Sequence, residues 1–321
     1  MNILVVRNDK LGDFITALPT IYVLKKYDPK NKIVVLVAPL NKALAEACDF
    51  IDEVIVDEKE NSIFTLTYKI KEAKIDASIT LFSNTRVAIA QFLAGIKTRI
   101  APATKIAQIF YNKRVVQRRS EVKMAEFEYN LQLTTELFPD ISLDFPKPLL
   151  EFNDAKELYA KFCEENTIEK EVIAFHVGFG GSSDANWNLD EYEILIRAVL
   201  EQNNYQGVLT FGPDETSLYE EMQKRLEGEK VVFYLSTDGL ITFAKLISQF
   251  KLFVSTSTGT YHVASLVGCA TMTFFGDSLF ASAARWKSVG DEKLQKHYML
   301  PIDQQKRQAV FEEVKKELLL F

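Results

Sequence analysis

Short, β-branched, almost continuous apolar runs alternate along the chain with longer stretches in which apolar residues recur at helical spacing. Residues 3–6, 33–37, 53–56 and 77–82 have the length and mostly continuous apolar character of parallel strands covered on both faces. Phe14, Leu18, Ile21 and Tyr22, then Leu44 and Cys48, mark helices between them. Pro19 falls inside the first of these, so that helix is either kinked there or regular only from the proline onward. A second series of strands is predicted at 172–176, 208–211, 231–234, 252–255 and 271–275, with helical patterns at 189–203, 214–226, 239–249 and 260–268 between them.

Two successive series of this kind predict an α/β protein with two doubly wound, Rossmann-like domains. The boundary is expected within 139–153, where Pro139, Pro146 and Pro148 crowd together and no period holds, giving domains at 1–150 and 151–303. Residues 304–321 form one more amphipathic helix, ending Leu318-Leu319-Leu320-Phe321.

Composition adds a few exclusions. A chain of 321 residues suits two domains rather than one core. The net charge of −6 argues against nucleic acid, or an acidic membrane, as the partner of the whole surface. Cys48, Cys163 and Cys269 are odd in number, far apart and set among apolar residues, as expected of reduced core thiols. Met1 leads straight into the first strand without a signal-peptide pattern, and no apolar run approaches the ~20 residues that span a bilayer. A cytoplasmic protein is expected, with a membrane surface still within its reach.

Doubly wound sheets bind ligands at the carboxyl ends of their strands, so the loops there carry the candidate chemistry. The first reads Arg7-Asn8-Asp9-Lys10-Leu11-Gly12-Asp13. Asp13 stands in the first turn of a helix, where a carboxylate serves either as a capping charge or as a general base. No G-x-G-x-x-G follows the first strand, and no G-x-x-x-x-G-K-[ST] occurs. A second loop, Thr256-Ser257-Thr258-Gly259-Thr260-Tyr261-His262, precedes a helix whose N–H groups suit a diphosphate, with His262 as a further donor; an N-capped helix with a half-buried histidine is the plainer alternative. A third, His176-Val177-Gly178-Phe179-Gly180-Gly181-Ser182-Ser183, either lies against a phosphate or is a flexible connection. At Phe211-Gly212-Pro213-Asp214-Glu215, Glu215 either grips ribose hydroxyls or is a helix-start acid. Residues 97–123 carry Lys97, Arg99, Lys105, Lys113, Arg114, Arg118, Arg119 and Lys123 against the single acid Glu121, a solvated face or a site for an anionic acceptor. No acidic D-x-D pair lies at a predicted strand end to hold a metal.

In this order the segments resemble glycosyltransferase family 9, the bacterial heptosyltransferase-like enzymes of lipopolysaccharide core assembly. The resemblance covers nearly the whole chain. It rests on residues 7–13 followed by Pro19, on Gly95-Ile96-Lys97-Thr98-Arg99-Ile100, on His176-x-Gly178, on residues 184–187, on Gly212-Pro213-x-Glu215 and on Thr258-Gly259-x-x-His262-x-Ala264, the family's most specific motif. It implies a GT-B architecture, two Rossmann-like doubly wound domains facing an interdomain cleft. The second domain would bind the nucleotide sugar through His176, Gly178, Glu215, Ser257, Thr258, Gly259, Thr260 and His262. The first would bind an anionic glycolipid acceptor through Arg7, Lys10, Arg99, Arg118 and Arg119, with Asp13 as catalytic base. No metal, no bound cofactor and no nucleic acid are implied; ADP-heptose is the default donor, and peripheral contact with the inner membrane is expected. The last helix of a GT-B enzyme often crosses back to the first domain, and 304–321 is expected to do so.

Two positions depart from the family: Ser257 stands where an acid is usual, and Ala185 where Lys or Arg usually stands two residues before Trp187. They leave the donor open, with Arg285 and Lys287 as candidate replacements for the missing cation. The rival readings are a catalytically inactive nucleotide-sugar-binding protein and a nucleotide-sugar epimerase or dehydrogenase. The latter needs a glycine fingerprint and a Tyr-x-x-x-Lys pair, whose one echo, Tyr22 and Lys26, sits in the first helical stretch.

Overall fold

The computed structural model describes residues 1–179 and 185–320. Gly180, Gly181, Ser182 and Ser183 of the third candidate loop, Asp184 and the terminal Phe321 lie outside the described residues. The chain divides into two compact units, Met1–Pro146 and Lys147–Phe321.

The first unit is built on six parallel strands, β1 (Asn2–Arg7), β2 (Lys32–Val37), β3 (Glu53–Val56), β4 (Ala77–Thr80), β5 (Thr98–Pro102) and β6 (Lys113–Val115), in the order β3-β2-β1-β4-β5-β6. The unbroken apolar runs of β1 and β2 are buried on both faces, because a parallel sheet joined by helical crossovers carries a helix layer on each side. On one face Leu4, Val6, Val34 and Leu36 pack against Leu66 and Ile70 of the helix Ile63–Glu72 and Val87 of Thr85–Leu93. Pro19 breaks nothing. The first helical stretch is two helices, Leu11–Ile15 and Leu18–Tyr27, and the proline sits in the first turn of the second, where no N–H is needed.

The second unit repeats the design with β7 (Val172–His176), β8 (Gln206–Phe211), β9 (Val231–Leu235), β10 (Leu252–Thr256), β11 (Thr271–Gly276) and β12 (Gln295–Leu300), all parallel, in the order β12-β11-β10-β7-β8-β9. Counted from its own first strand, each sheet has the 3-2-1-4-5-6 order of a doubly wound fold. The order therefore reverses between β1 and β4 in one sheet and between β7 and β10 in the other. The helix Gln304–Leu318 contributes buried side chains to the second unit. Phe311, Val314 and Leu318 belong to that unit's core with Trp187, Tyr192, Leu195 and Phe274. The rings of Trp187 and Phe311 meet edge to face at 5.3 Å.

Cys48 and Cys269 are buried free thiols, and burial pushes Cys48 up to about 12. Cys163, expected in the core, is only half-buried. Among the described residues no helix is long and apolar enough to cross a membrane.

Candidate functional site

Arg7 ends β1 at the switch point of the first sheet and is 3% exposed. Its guanidinium is shared among three carboxylates. Nε donates to Asp9 at 2.8 Å, one terminal nitrogen donates to Asp13, and the other lies 3.4 Å from Glu126. Burial works against the charge on Arg7, but the three carboxylates outweigh it and raise its pKa. Glu126 also accepts from Arg119 at 2.5 Å, so one buried carboxylate bridges two arginines. Burial, reinforced by Asp13 and opposed by Arg7, lifts Asp9 to about 6.

No side chain caps the helix Leu11–Ile15, and the Asp13 carboxylate is turned to Arg7. The Asp13 backbone is fixed as well. Thr16 Oγ1 donates to its carbonyl at 2.7 Å, and Asn130 donates to the Thr16 carbonyl at 3.1 Å. The loop before it is tied down by Asn8 on Asp57 at 2.6 Å and by Asn41 on the Asp9 carbonyl at 3.1 Å. Phe82, just past β4, lies between two cations, Arg7 at 5.6 Å and Lys105 at 4.3 Å from its ring centre.

The basic stretch does not act as one patch. Lys10 and Arg118 are exposed, Arg118 in the left-handed region beside Glu121 at 3.5 Å. Arg119 turns inward to Glu126, Gln117 and Asn130. Arg99, expected to bind the acceptor, sits near the amino end of β5, level with Ser78 and Leu4, three rows or about 10 Å below the edge where Arg7 stands. Its guanidinium donates to the carbonyls of Phe110 and Ile96, so it ties a loop together at the wrong end of the sheet.

In the second unit His176 ends β7, buried, with its ring stacked on Phe253 and Nδ1 3.1 Å from Thr210 Oγ1. Burial lowers its pKa, with Glu215 opposing, and keeps it neutral. Glu215 stands at the start of the helix Thr216–Arg225 without capping it; its Oε2 accepts the Gly212 N–H at 2.7 Å. The same carboxylate lies so close over Gly178 that a Cβ there would come within 1.9 Å of Oε1. His176-x-Gly178 and Gly212-x-x-Glu215, on adjacent strands β7 and β8, thus form one constellation.

After β10, Ser257 is half-buried and its N–H donates to Phe274 of β11. The helix Gly259–Leu266 starts at Thr258, whose hydroxyl is 2.9 Å from that of Thr260 and does not cap it. No side-chain cap competes with a ligand for the N–H groups of Gly259, Thr260 and Tyr261. His262, one turn in, is buried, with Nδ1 3.1 Å from Ser288 Oγ, and burial lowers its pKa to about 3. It is neutral at physiological pH, so only an N–H remains for a phosphate, and no positive charge. Ala185 is buried; its carbonyl accepts Thr256 Oγ1 at 2.5 Å. Of the two candidate replacement cations, Lys287 pairs with Glu292 at 2.6 Å, and Arg285 stacks on Phe280 and Trp286 at 3.5 and 4.8 Å.

Sequence reasoning misses Glu126, Asn130 and the pairing of Phe82 with Lys105. The one local hint is Glu126 as an acid just past the basic stretch; the Arg7 it meets is 119 residues away.

Known proteins resemble this chain in sequence and in fold. The family model for glycosyltransferase family 9 (heptosyltransferase) matches residues 63–314, which takes in the second unit's loops but not Asp13. A Haemophilus influenzae protein, whose description as a glycosyltransferase is provisional and names no sugar, is 38% identical over 299 residues, 90% of this chain and 86% of its own. The E. coli ADP-heptose lipopolysaccharide heptosyltransferase II superposes with a TM-score of 0.79 at 20% identity, covering 100% of this chain and 99% of its own. The E. coli heptosyltransferase WaaC, solved with ADP, gives 0.75 at 19% identity, covering 98% and 99%. These last two establish the GT-B fold, and the family match with the Haemophilus relative establishes descent: the chain belongs to glycosyltransferase family 9, the heptosyltransferase family.

Proposed function

We propose that this chain is an inverting, metal-independent glycosyltransferase that moves a sugar, by family default a heptose from ADP-heptose, onto a hydroxyl of a lipopolysaccharide or lipooligosaccharide core acceptor. The observation that carries the reading is the Asp13 carboxylate, oriented by buried Arg7 at the end of β1. In the proposed step Asp13 takes the proton of the acceptor hydroxyl while that oxygen bonds to the anomeric carbon from the face opposite the diphosphate. The bond from that carbon to the diphosphate breaks, and the nucleoside diphosphate leaves with the electron pair. The uncapped start of Gly259–Leu266 supplies N–H groups where that charge develops, and Glu215 over Gly178 offers a carboxylate to ribose hydroxyls. Arg7 and Arg119 serve the base in this scheme, and Lys10 and Arg118 are the acceptor's cations. The buried methyl of Ala185, where the family carries a cation, favours a second reading with another nucleotide sugar as donor.

The test is transfer to a core acceptor from a panel of ADP-, UDP- and GDP-sugars, with and without EDTA. Transfer from one donor, unaffected by EDTA, is the expected result. Activity abolished by EDTA and restored by Mg²⁺ or Mn²⁺ refutes the metal-free part. Neither transfer nor hydrolysis of any donor leaves a binding protein in its place.

A further inference from the structure

The segment that links β11 to β12 is laid against the candidate donor helix Gly259–Leu266 and tied to it at three points. Ser288 Oγ lies 3.1 Å from His262 Nδ1, the Ser288 N–H donates to Tyr261 Oη at 2.9 Å, and the Gly290 N–H donates to Ser265 Oγ at 3.0 Å. The approach is close enough to require a glycine at 290, where a Cβ would meet Ser265 Oγ at 2.4 Å and its carbonyl oxygen at 2.5 Å. Gln295, at the start of β12, closes the network: its Oε1 accepts from Tyr261 Oη at 2.7 Å, and its Nε2 donates to the Gly290 carbonyl at 3.1 Å. Tyr261, His262 and Ser288 are all buried, so these bonds form away from water. His262 is neutral, so one ring nitrogen donates and the other accepts. Among the described residues, His262 Nδ1 is the one hydrogen-bond partner of Ser288 Oγ. A buried hydroxyl with a single partner donates to it, because an unpaired buried proton costs more than an unused lone pair. The Ser288 hydroxyl therefore donates to Nδ1, and the imidazole proton resides on Nε2.

We propose that Ser288 is a positioning residue for the donor: it fixes His262 in the tautomer with its proton on Nε2, and so keeps an N–H for a phosphate oxygen. This rests on the reading that the nucleoside diphosphate sits at the start of Gly259–Leu266. The opposite tautomer would present a lone pair on Nε2, which repels a phosphate oxygen, and the choice between the two is set by the bond that Nδ1 makes. Tyr261 acts one step further out. Its hydroxyl accepts the Ser288 N–H and holds the segment where Oγ reaches the ring. Through Gln295, which binds both Tyr261 and Gly290, the edge strand β12 has a part in the donor site.

The full chain is labelled with nitrogen-15 histidine, and its imidazole nitrogens are observed by long-range proton–nitrogen correlation near neutral pH. The chain has three histidines, and the His262 signals are those missing from His262→Gln. Binding of ADP, UDP and GDP is measured by calorimetry on the same samples. The parent is expected to show a protonated, pyrrole-like Nε2 and a bare, pyridine-like Nδ1 at His262. Ser288→Ala should mix the two tautomers and weaken diphosphate binding by roughly fivefold to tenfold. Ser288→Thr, which keeps the hydroxyl, should restore both, and Tyr261→Phe should act as Ser288→Ala does but more weakly. A Ser288 that only packs the core would lower the melting temperature in Ser288→Ala without moving either readout, and that result overturns the proposal. So does a parent whose His262 proton resides on Nδ1. A parent with the Nε2 tautomer that loses it in Ser288→Ala, yet binds none of the diphosphates, upholds the positioning of His262 and refutes the donor reading.

Discussion

Arg7 is surrounded by three carboxylates, of which Asp9 and Glu126 remain if Asp13 is changed. Asp13→Asn keeps the size and one acceptor oxygen, so its structural cost should be about 1–2 kcal/mol. If Asp13 is the base, kcat falls by roughly 10²–10⁴ while nucleoside diphosphate binding is unchanged. A folded Asp13→Asn enzyme with more than about a third of normal kcat returns the residue to a structural role. The neighbouring arginines separate in the same assay. Arg118 is exposed, and Arg118→Ala should raise the acceptor KM a few-fold, more at low salt, with kcat intact. Arg119 holds Glu126, the partner of Arg7, so Arg119→Ala should lower kcat together with the melting temperature. Matching KM effects without a kcat loss in Arg119→Ala would falsify its place behind the base.

Loops from adjacent strands meet where Glu215 lies over Gly178, and this makes a glycine necessary. Gly178→Ala puts a methyl where the carboxylate stands, so Glu215 must swing off the Gly212 N–H. Nucleoside diphosphate affinity should fall by roughly tenfold or more, with Glu215→Gln giving a comparable loss. An unchanged calorimetric affinity in both variants would take the donor away from this constellation. The pattern of the chain discloses the strands built on apolar runs most readily, including the half-buried β3 and β9. β1, β2, β7 and β10 are each built on a continuous apolar run, whereas β5 carries Arg99 and Pro102, β6 is three residues with two exposed, and β12 is an edge strand opening Gln295-Lys296-His297. The site divides in the same way. Asp13, Glu215 and Thr258 stand next to the strands that position them and can be found from motifs, but Glu126 reaches Arg7 only through the fold. Arg99 is misleading in sequence because charge does not reveal which end of a strand it occupies.

All three histidines and both tryptophans fall within Lys147–Phe321, which gives that unit its own pH response and its own fluorescent reporter. Burial pushes His176 below its ordinary range, His262 to about 3 and His297 to about 4. The unfolded chain takes up these protons below about pH 6.5 and the folded one does not, so their stabilisation is complete above 6.5 and is lost as pH falls from there towards 4. Each contributes a slope of up to about 1.4 kcal/mol per pH unit. Asp9, in the first unit and lifted to about 6, has the opposite sign: its ionisation costs stability as pH rises from about 4 to 6. The urea midpoint followed by tryptophan emission should therefore drop on acidification from pH 6.5 to 4, and His262→Gln should flatten the slope; an equal slope in that variant contradicts the assignment. The helix Gln304–Leu318 has a consequence of another kind. Trp187 and Phe311 touch in the second core, although most of the unit's sequence lies between them. A nascent chain completes every strand of the first sheet before it begins the second. It cannot close the second until Phe311, Val314 and Leu318 have been synthesised and have left the ribosome. Through that interval the second core lacks these three side chains, and an incomplete unit with exposed apolar surface is the kind of species that chaperones and proteases act on.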